Sequence, residues 1–252
     1  MKTMYRVALT LAVAMLLMIT ATLYADENDV RIVSSARDSY AFRVYLKGDD
    51  IKIESKNGAV TLTGVVSEEF HKTLANETLV ALEGVKSVDN RLEIKGAPPT
   101  ANSDAWLETK VKATLRFHRN VSASNTEVDV KDGIATLRGN ATSQAQKELT
   151  TEYAKDVEGI KSVSNEMKVS GDTKEIHRSV AVKIDDASIT AQVKMALWTH
   201  RSTSVANTKV RTNRGVVTLG GEAKNVAERD LVTKLVGDID GVKSIKNQMT
   251  IK

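Results

Sequence analysis

Apolar positions recur three times along the chain with the same spacing. Ile32, Ala36 and Tyr40 stand four apart, as do Leu107, Val111 and Leu115, and again Ile189, Val193 and Leu197. An i, i+4, i+8 stripe predicts the core face of a short helix. Downstream, Ile51 and Ile53, or Val128 and Val130, alternate with polar residues, which predicts a half-buried strand. Asn57-Gly58 and Asp132-Gly133 come next, with Gly215 in register, and such pairs supply the positive φ of a tight hairpin turn. A second strand built around Thr-Leu runs to Gly64, Gly139 or Gly221, where the missing Cβ predicts a bulge or the close approach of a helix. A second helix places Leu74, Leu149 and Leu231 in register, with Leu82, Val157 and Ile239 in its last turn, and Ser143 with Gln146 predicts a capping box. Gly84, Gly159 and Gly241 are expected at the left-handed residue that ends this helix. The unit closes on an alternating strand, as in Ile160, Val163, Asn165, Met167 and Val169.

Each unit therefore reads helix, strand, strand, helix, strand. The expected fold class is α+β, with three tandem two-layer domains, each packing two helices on one face of a three-stranded mixed sheet. The crossover from second to third strand predicts one parallel pair in each sheet. The expected boundaries are 26–97, 104–171 and 185–252. The connection 98–103 is stiffened by Pro98 and Pro99, and the longer connection 172–184 is polar. Units of about 70 residues are only marginally stable alone.

Before the first unit, Lys2 and Arg6 precede an apolar run from Val7 to Tyr24, with Ala25 and an acidic stretch after it. That is the form of a secretory signal peptide over residues 1–25, and it implies export to the periplasm. The run is also close to the length that spans a bilayer, so an uncleaved anchor in the inner membrane, with the domains facing the periplasm, is the alternative.

Three sets of residues, Asn57-Gly58-Ala59-Val60-Thr61-Leu62-Thr63-Gly64, Asp132-Gly133-Ile134-Ala135-Thr136-Leu137-Arg138-Gly139 and Arg214-Gly215-Val216-Val217-Thr218-Leu219-Gly220-Gly221, are paired with the later Gly84-Val85-Lys86-Ser87-Val88, Gly159-Ile160-Lys161-Ser162-Val163 and Gly241-Val242-Lys243-Ser244-Ile245. They resemble the BON family of small bacterial modules. The resemblance covers nearly all of the chain after residue 25, three times over. It implies a non-enzymatic envelope protein that interacts with phospholipid and supports envelope integrity under osmotic or envelope stress. It also implies, in some members, help for outer-membrane or secreted proteins, so a periplasmic chaperone or scaffold binding unfolded or outer-membrane clients is the alternative function. Solute or ion sensing is a third, more distant implication.

The residues themselves offer little for catalysis. The chain has no Cys, which removes disulfides, thiol nucleophiles and sulfur-ligated metals. His71, His118, His177 and His200 show no spacing that puts two on one helical face, so no metal is expected. No nucleophile elbow, phosphate loop or dinucleotide fingerprint appears, and no cofactor is expected. Adjacent acids such as Asp49-Asp50, Glu68-Glu69 and Asp185-Asp186 do not face one another, and are read as solvated charges or helix starts.

Charge is uneven between the three units. Residues 26–97 hold 10 bases and 13 acids, residues 98–171 hold 10 of each, and residues 172–252 hold 14 bases and 9 acids. The net charge of +4 is too small for a nucleic-acid binder, but the third unit suits an anionic surface such as phospholipid head groups. With Ile189, Val193 and Leu197 facing the core, the other side of that helix carries Ala187, Ala191, Met195 and Trp198, flanked by Lys194, His200 and Arg201. This outward stripe is the expected lipid-binding site, with packing against another repeat as the competing account.

Overall fold

The computed structural model describes residues 27–96, 99–170, 183–203 and 208–252. The expected signal segment, Pro98, His177 and most of the connection 172–184 lie outside them.

The first repeat comprises α1 (27–38), a π-helical turn (Ala41–Tyr45), β1 (Asp50–Lys56), β2 (Ala59–Val66), α2 (Glu69–Val80) and β3 (Ser87–Ile94). The second comprises α3 (Asp104–Phe117), β4 (Thr126–Lys131), β5 (Ile134–Ala141), α4 (Gln144–Lys155), β6 (Ser162–Asn165) and β7 (Lys168–Val169). The third comprises α5 (Asp186–Thr199), β8 (Thr208–Asn213), β9 (Val216–Ala223), α6 (Val226–Gly237), β10 (Ser244–Asn247) and β11 (Thr250–Ile251). In each sheet the central strand pairs antiparallel with its predecessor and parallel with the strand or strand pieces beyond the crossover helix.

The three glycine registers have distinct physical causes. The hairpin glycines, Gly58, Gly133 and Gly215, come directly after Asn57, Asp132 and Arg214, and all six residues have φ between 52° and 81°. Gly64, Gly139 and Gly221 have φ of 103° to 120°. A Cβ on Gly64 would lie 2.0 Å from the Asp50 carbonyl oxygen, and one on Gly139 would lie 2.0 Å from that of Asn125. The close approach is therefore made by the backbone entering the preceding strand, not by a helix. Gly84, Gly159 and Gly241 also have positive φ, but each sits three residues beyond the helix C-cap rather than next to it. Leu82, Val157 and Ile239 accordingly lie past the helix instead of closing its last turn. At this third position the first helix of the same repeat comes close: a Cβ on Gly159 would meet Leu107 at 2.6 Å, and one on Gly241 would meet Ile189 at 2.9 Å.

Two further recurrences hold each unit together. Asp29, Asp104 and Asp186 stand at the start of the first helix and accept hydrogen bonds from the two turn amides of their own hairpin, Asn57 and Gly58, Asp132 and Gly133, Arg214 and Gly215, at 2.5–3.0 Å. A hydrogen bond from the Ser55 hydroxyl, supported by these amides, holds the Asp29 carboxyl below its usual range. Asp186 is thus a clamp on the hairpin and more than a solvated helix start. Asn90, Asn165 and Asn247 each donate through Nδ2 to a carbonyl of the second helix and accept from the amide two residues on. In the second and third repeats the final strand breaks here into two short pieces, where a single strand was expected.

Ser143 accepts from the Gln146 amide and Gln146 accepts from Thr142, and Asn225, Glu228 and Lys224 repeat the pattern one domain later. The expected capping box is present, with its return bond placed one residue further back.

Core residues of all three repeats form one continuous cluster. At its centre is α5, which packs on its own β8 and α6 and also against α2 and α3 of the other repeats. Ala187, Ala191 and Met195 are buried along with Ile189, Val193 and Leu197. A helix apolar on both sides is one enclosed on both sides.

Candidate functional site

The expectation of an outward stripe on α5 is corrected by this enclosure. Ala187, Ala191 and Met195 retain 7%, 0% and 1% of their surface. Lys194 donates to the Glu77 carboxylate of the first repeat at 2.7 Å. The Tyr40 amide donates to Asp185, and the Ala41 amide to the Ser188 hydroxyl, so the start of α5 is also sealed by the first repeat. Of the apolar stripe, only Trp198 keeps an exposed edge, and its ring meets Trp106 at a centroid distance of 6.2 Å.

His200 and Arg201 belong to a reciprocal contact between the second and third repeats. The backbone amide of Arg201 donates to the Asp156 carbonyl, and its guanidinium donates to the carbonyls of Val157 and Ile160 at 3.3 and 3.1 Å. In the opposite direction, the Arg119 amide donates to the Asp238 carbonyl and its guanidinium to Ile239 and Val242 at 2.6 and 2.8 Å. Each arginine so satisfies carbonyls just past the partner's second helix, a favourable place for a cation. His118 is fully buried beside this contact, stacked on Tyr153 at 3.7 Å, and Tyr153 donates its hydroxyl to Asp238 at 2.8 Å. Burial pushes the His118 pKa down to about 4, against the attraction of Asp238. Burial also lowers that of His200, whose nearest carboxylate is Asp156 at 3.6 Å.

Hydrogen bonds to charged groups contribute about 1.5–3 kcal/mol and weaken with length. Replacing Arg119 by Ala is expected to cost about 2 kcal/mol and Arg201→Ala about half that, read as shifts in the urea midpoint. Equal losses would sink the ranking drawn from bond length.

The surface that does face outward in the third repeat is the strand side of its sheet. Arg211, Thr218 and Lys246 lie opposite one another across β8, β9 and β10, and Lys209 lies opposite Gly220. Cross-strand partners share a face. Lys209, Arg211, Arg214, Lys243 and Lys246 are all exposed. The positions equivalent to Arg211 are Glu54 and Asp129 in the first two repeats, and those equivalent to Lys246 are Asp89 and Ser164. At these two positions the third repeat replaces acidic or neutral residues with bases, whereas Lys243 is matched by Lys86 and Lys161, and Lys209 by Lys52. The internal register already contained that signal, but it is read by comparing strand positions between copies and not by following one helix.

Among the described residues no group of three or more His, Asp or Glu is placed to hold a metal ion, and no helix is long and apolar enough to cross a membrane.

Three small two-layer modules, each with an antiparallel hairpin and one parallel pair, define a tandem array built on a single scaffold. The BON domain family matches residues 28–96, 103–171 and 185–252, and the chain belongs to that family. It is similar to the osmotically-inducible protein Y of Escherichia coli, 32% identical over 80% of this chain and 98% of that protein. It is also similar to the outer membrane lipoprotein DolP of Haemophilus influenzae, 32% identical over 43% of this chain and 57% of that one. Among solved structures, the C-terminal domain of CdsD from the type III secretion system of Chlamydia trachomatis aligns over 84% of this chain and 95% of its own, at 18% identity and a TM-score of 0.22.

Proposed function

We propose that this chain is a non-enzymatic envelope protein that supports envelope integrity under osmotic stress by contacting anionic phospholipid through the outer sheet face of its third repeat. The observation that carries the reading is the charge inversion: Glu54 and Asp89 of the first repeat stand where the third has Arg211 and Lys246. A basic residue near an anionic bilayer contributes about 1 kcal/mol, and that attraction falls off within a Debye length. Relatives named for osmotic induction and for the outer membrane support the envelope setting.

The test is sedimentation with anionic and neutral vesicles at low and moderate salt. Binding to anionic vesicles only, lost on adding salt, is expected. The double variant Arg211→Glu, Lys246→Asp, which restores the first repeat's residues, should weaken it by at least roughly thirtyfold, since two attractions are lost and two repulsions added. Undiminished binding by that variant would remove the basis of the proposal. Client binding is the second reading. It rests on an open groove of about 1060 Å³ lined by Tyr40, Tyr45, Val121 and Leu149, and it predicts that the protein slows aggregation of an unfolded client.

A further inference from the structure

Where the three repeats meet there is a second feature, unrelated to the basic face. A cavity of about 310 Å³, at the lower end of the range for small-molecule sites, opens between α2, α3 and the end of α5. Its buried lining includes Phe70, Lys110, Ala113 and Thr199, and Trp106 and Trp198 stand at its edge.

Lys110 is the unusual member. Its side chain is only 4% exposed, and its nearest carboxylate, Glu158, is 3.8 Å away, beyond hydrogen-bonding distance, with 69% of its own side chain in water. The ammonium instead lies 4.2 Å from the Trp106 ring centroid and 5.3 Å from that of Trp198. Two indole faces attract a cation but accept no strong hydrogen bond from it. A buried ammonium short of acceptors is costly and seeks an anion.

We infer that this cavity binds a small monocarboxylate with an apolar body, its carboxylate on the Lys110 ammonium and its apolar part against Trp106, Trp198 and Phe70. The carboxylate would supply the short charge-assisted bonds that Glu158 does not reach. Glu68, Glu69 and Lys95 also line the cavity, so two acids balance its two bases, which favours a single negative charge over a polyanion such as a phosphate dianion. Because the lining comes from all three repeats, such a ligand would tie them together. Burial already holds the Lys110 pKa below that of a free lysine, and a bound carboxylate would draw it back up.

The chain contains two tryptophans, and both line this cavity, so their fluorescence reports on it without a label. Titrating the full chain with 3-phenylpropionate should give a saturable change in emission, with affinity at least about tenfold above that for 3-phenylpropanol, the difference expected of one charge-assisted hydrogen bond. Lys110→Met should bind acid and alcohol alike. No saturable change in the wild type, equal affinity for the two probes, or an acid preference that survives in Lys110→Met would each overturn the inference. The acid-to-alcohol ratio in the wild type decides it even where the variant does not fold.

Discussion

Lowering the pH from 7 to 4 is expected to destabilise the protein by about 3 kcal/mol through His118 alone. Proton linkage sets the sign. The imidazole titrates near 6.5 in the unfolded chain but near 4 in the fold, so between these values the unfolded state binds the extra proton and stability falls with pH. The contribution is intact above pH 6.5, is reduced by about 2 kcal/mol at pH 5, and is fully lost below pH 4, at 1.36 kcal/mol for each pH unit. Burial under the stacked Tyr153 ring disfavours the imidazolium most, His200 repels it as well, and the attraction of Asp238 does not offset them. The site therefore favours the neutral ring. His200, also pushed down by burial, adds in the same direction. Urea midpoints measured at pH 7, 6 and 5 check this, with His118→Phe as the reference that keeps the stacked, buried ring but cannot be protonated. The wild type should lose stability relative to the variant across that interval, and parallel curves would contradict the assignment.

Gly139→Ala, like Gly64→Ala, should be among the most damaging small substitutions, costing at least about 3 kcal/mol. The added methyl carbon would lie 2.0 Å from the Asn125 carbonyl oxygen, and backbone cannot swing aside as a side chain can. The residue also holds φ at 115°, a conformation costing 1–3 kcal/mol for an L residue before any clash. Gly133→Ala provides the contrast. Its φ is 80° and its nearest new neighbours are methylenes of the flexible Lys161 at 3.2 Å, so about 1 kcal/mol is expected. Thermal unfolding of both variants would test the comparison, and a Gly139→Ala protein as stable as Gly133→Ala would refute the account of the second glycine.

The repeats were legible in sequence because glycines and stripes report local requirements. Hairpin φ values, core-facing helix positions and strand alternation depend on neighbours within one unit, and three copies in register make them conspicuous. The parallel pair could be inferred from the connection alone. Other features depend on partners distant in sequence. The clamp by Asp29, Asp104 and Asp186 also recurs in register, but its partners are backbone amides, which have no letter of their own. Left-handed residues commonly sit at helix ends, so the third glycine reads as a helix terminus, whereas it makes room for Leu107 or Ile189. For α5 the sequence showed two apolar faces correctly. Which neighbour covered the second one was a question about packing between domains, and Ala187, Ala191 and Met195 read the same against lipid or against protein.

Where repeats touch only their neighbours along a string, copies can be gained or dropped at the end with little effect on the rest. This chain is built otherwise: its last copy contributes the helix around which the earlier two are arranged. A version ending after residue 170 would leave α2 and α3 facing water where α5 had been, with Glu77 deprived of Lys194 and the Val157 and Ile160 carbonyls deprived of Arg201. The third copy is thus a keystone for the other two.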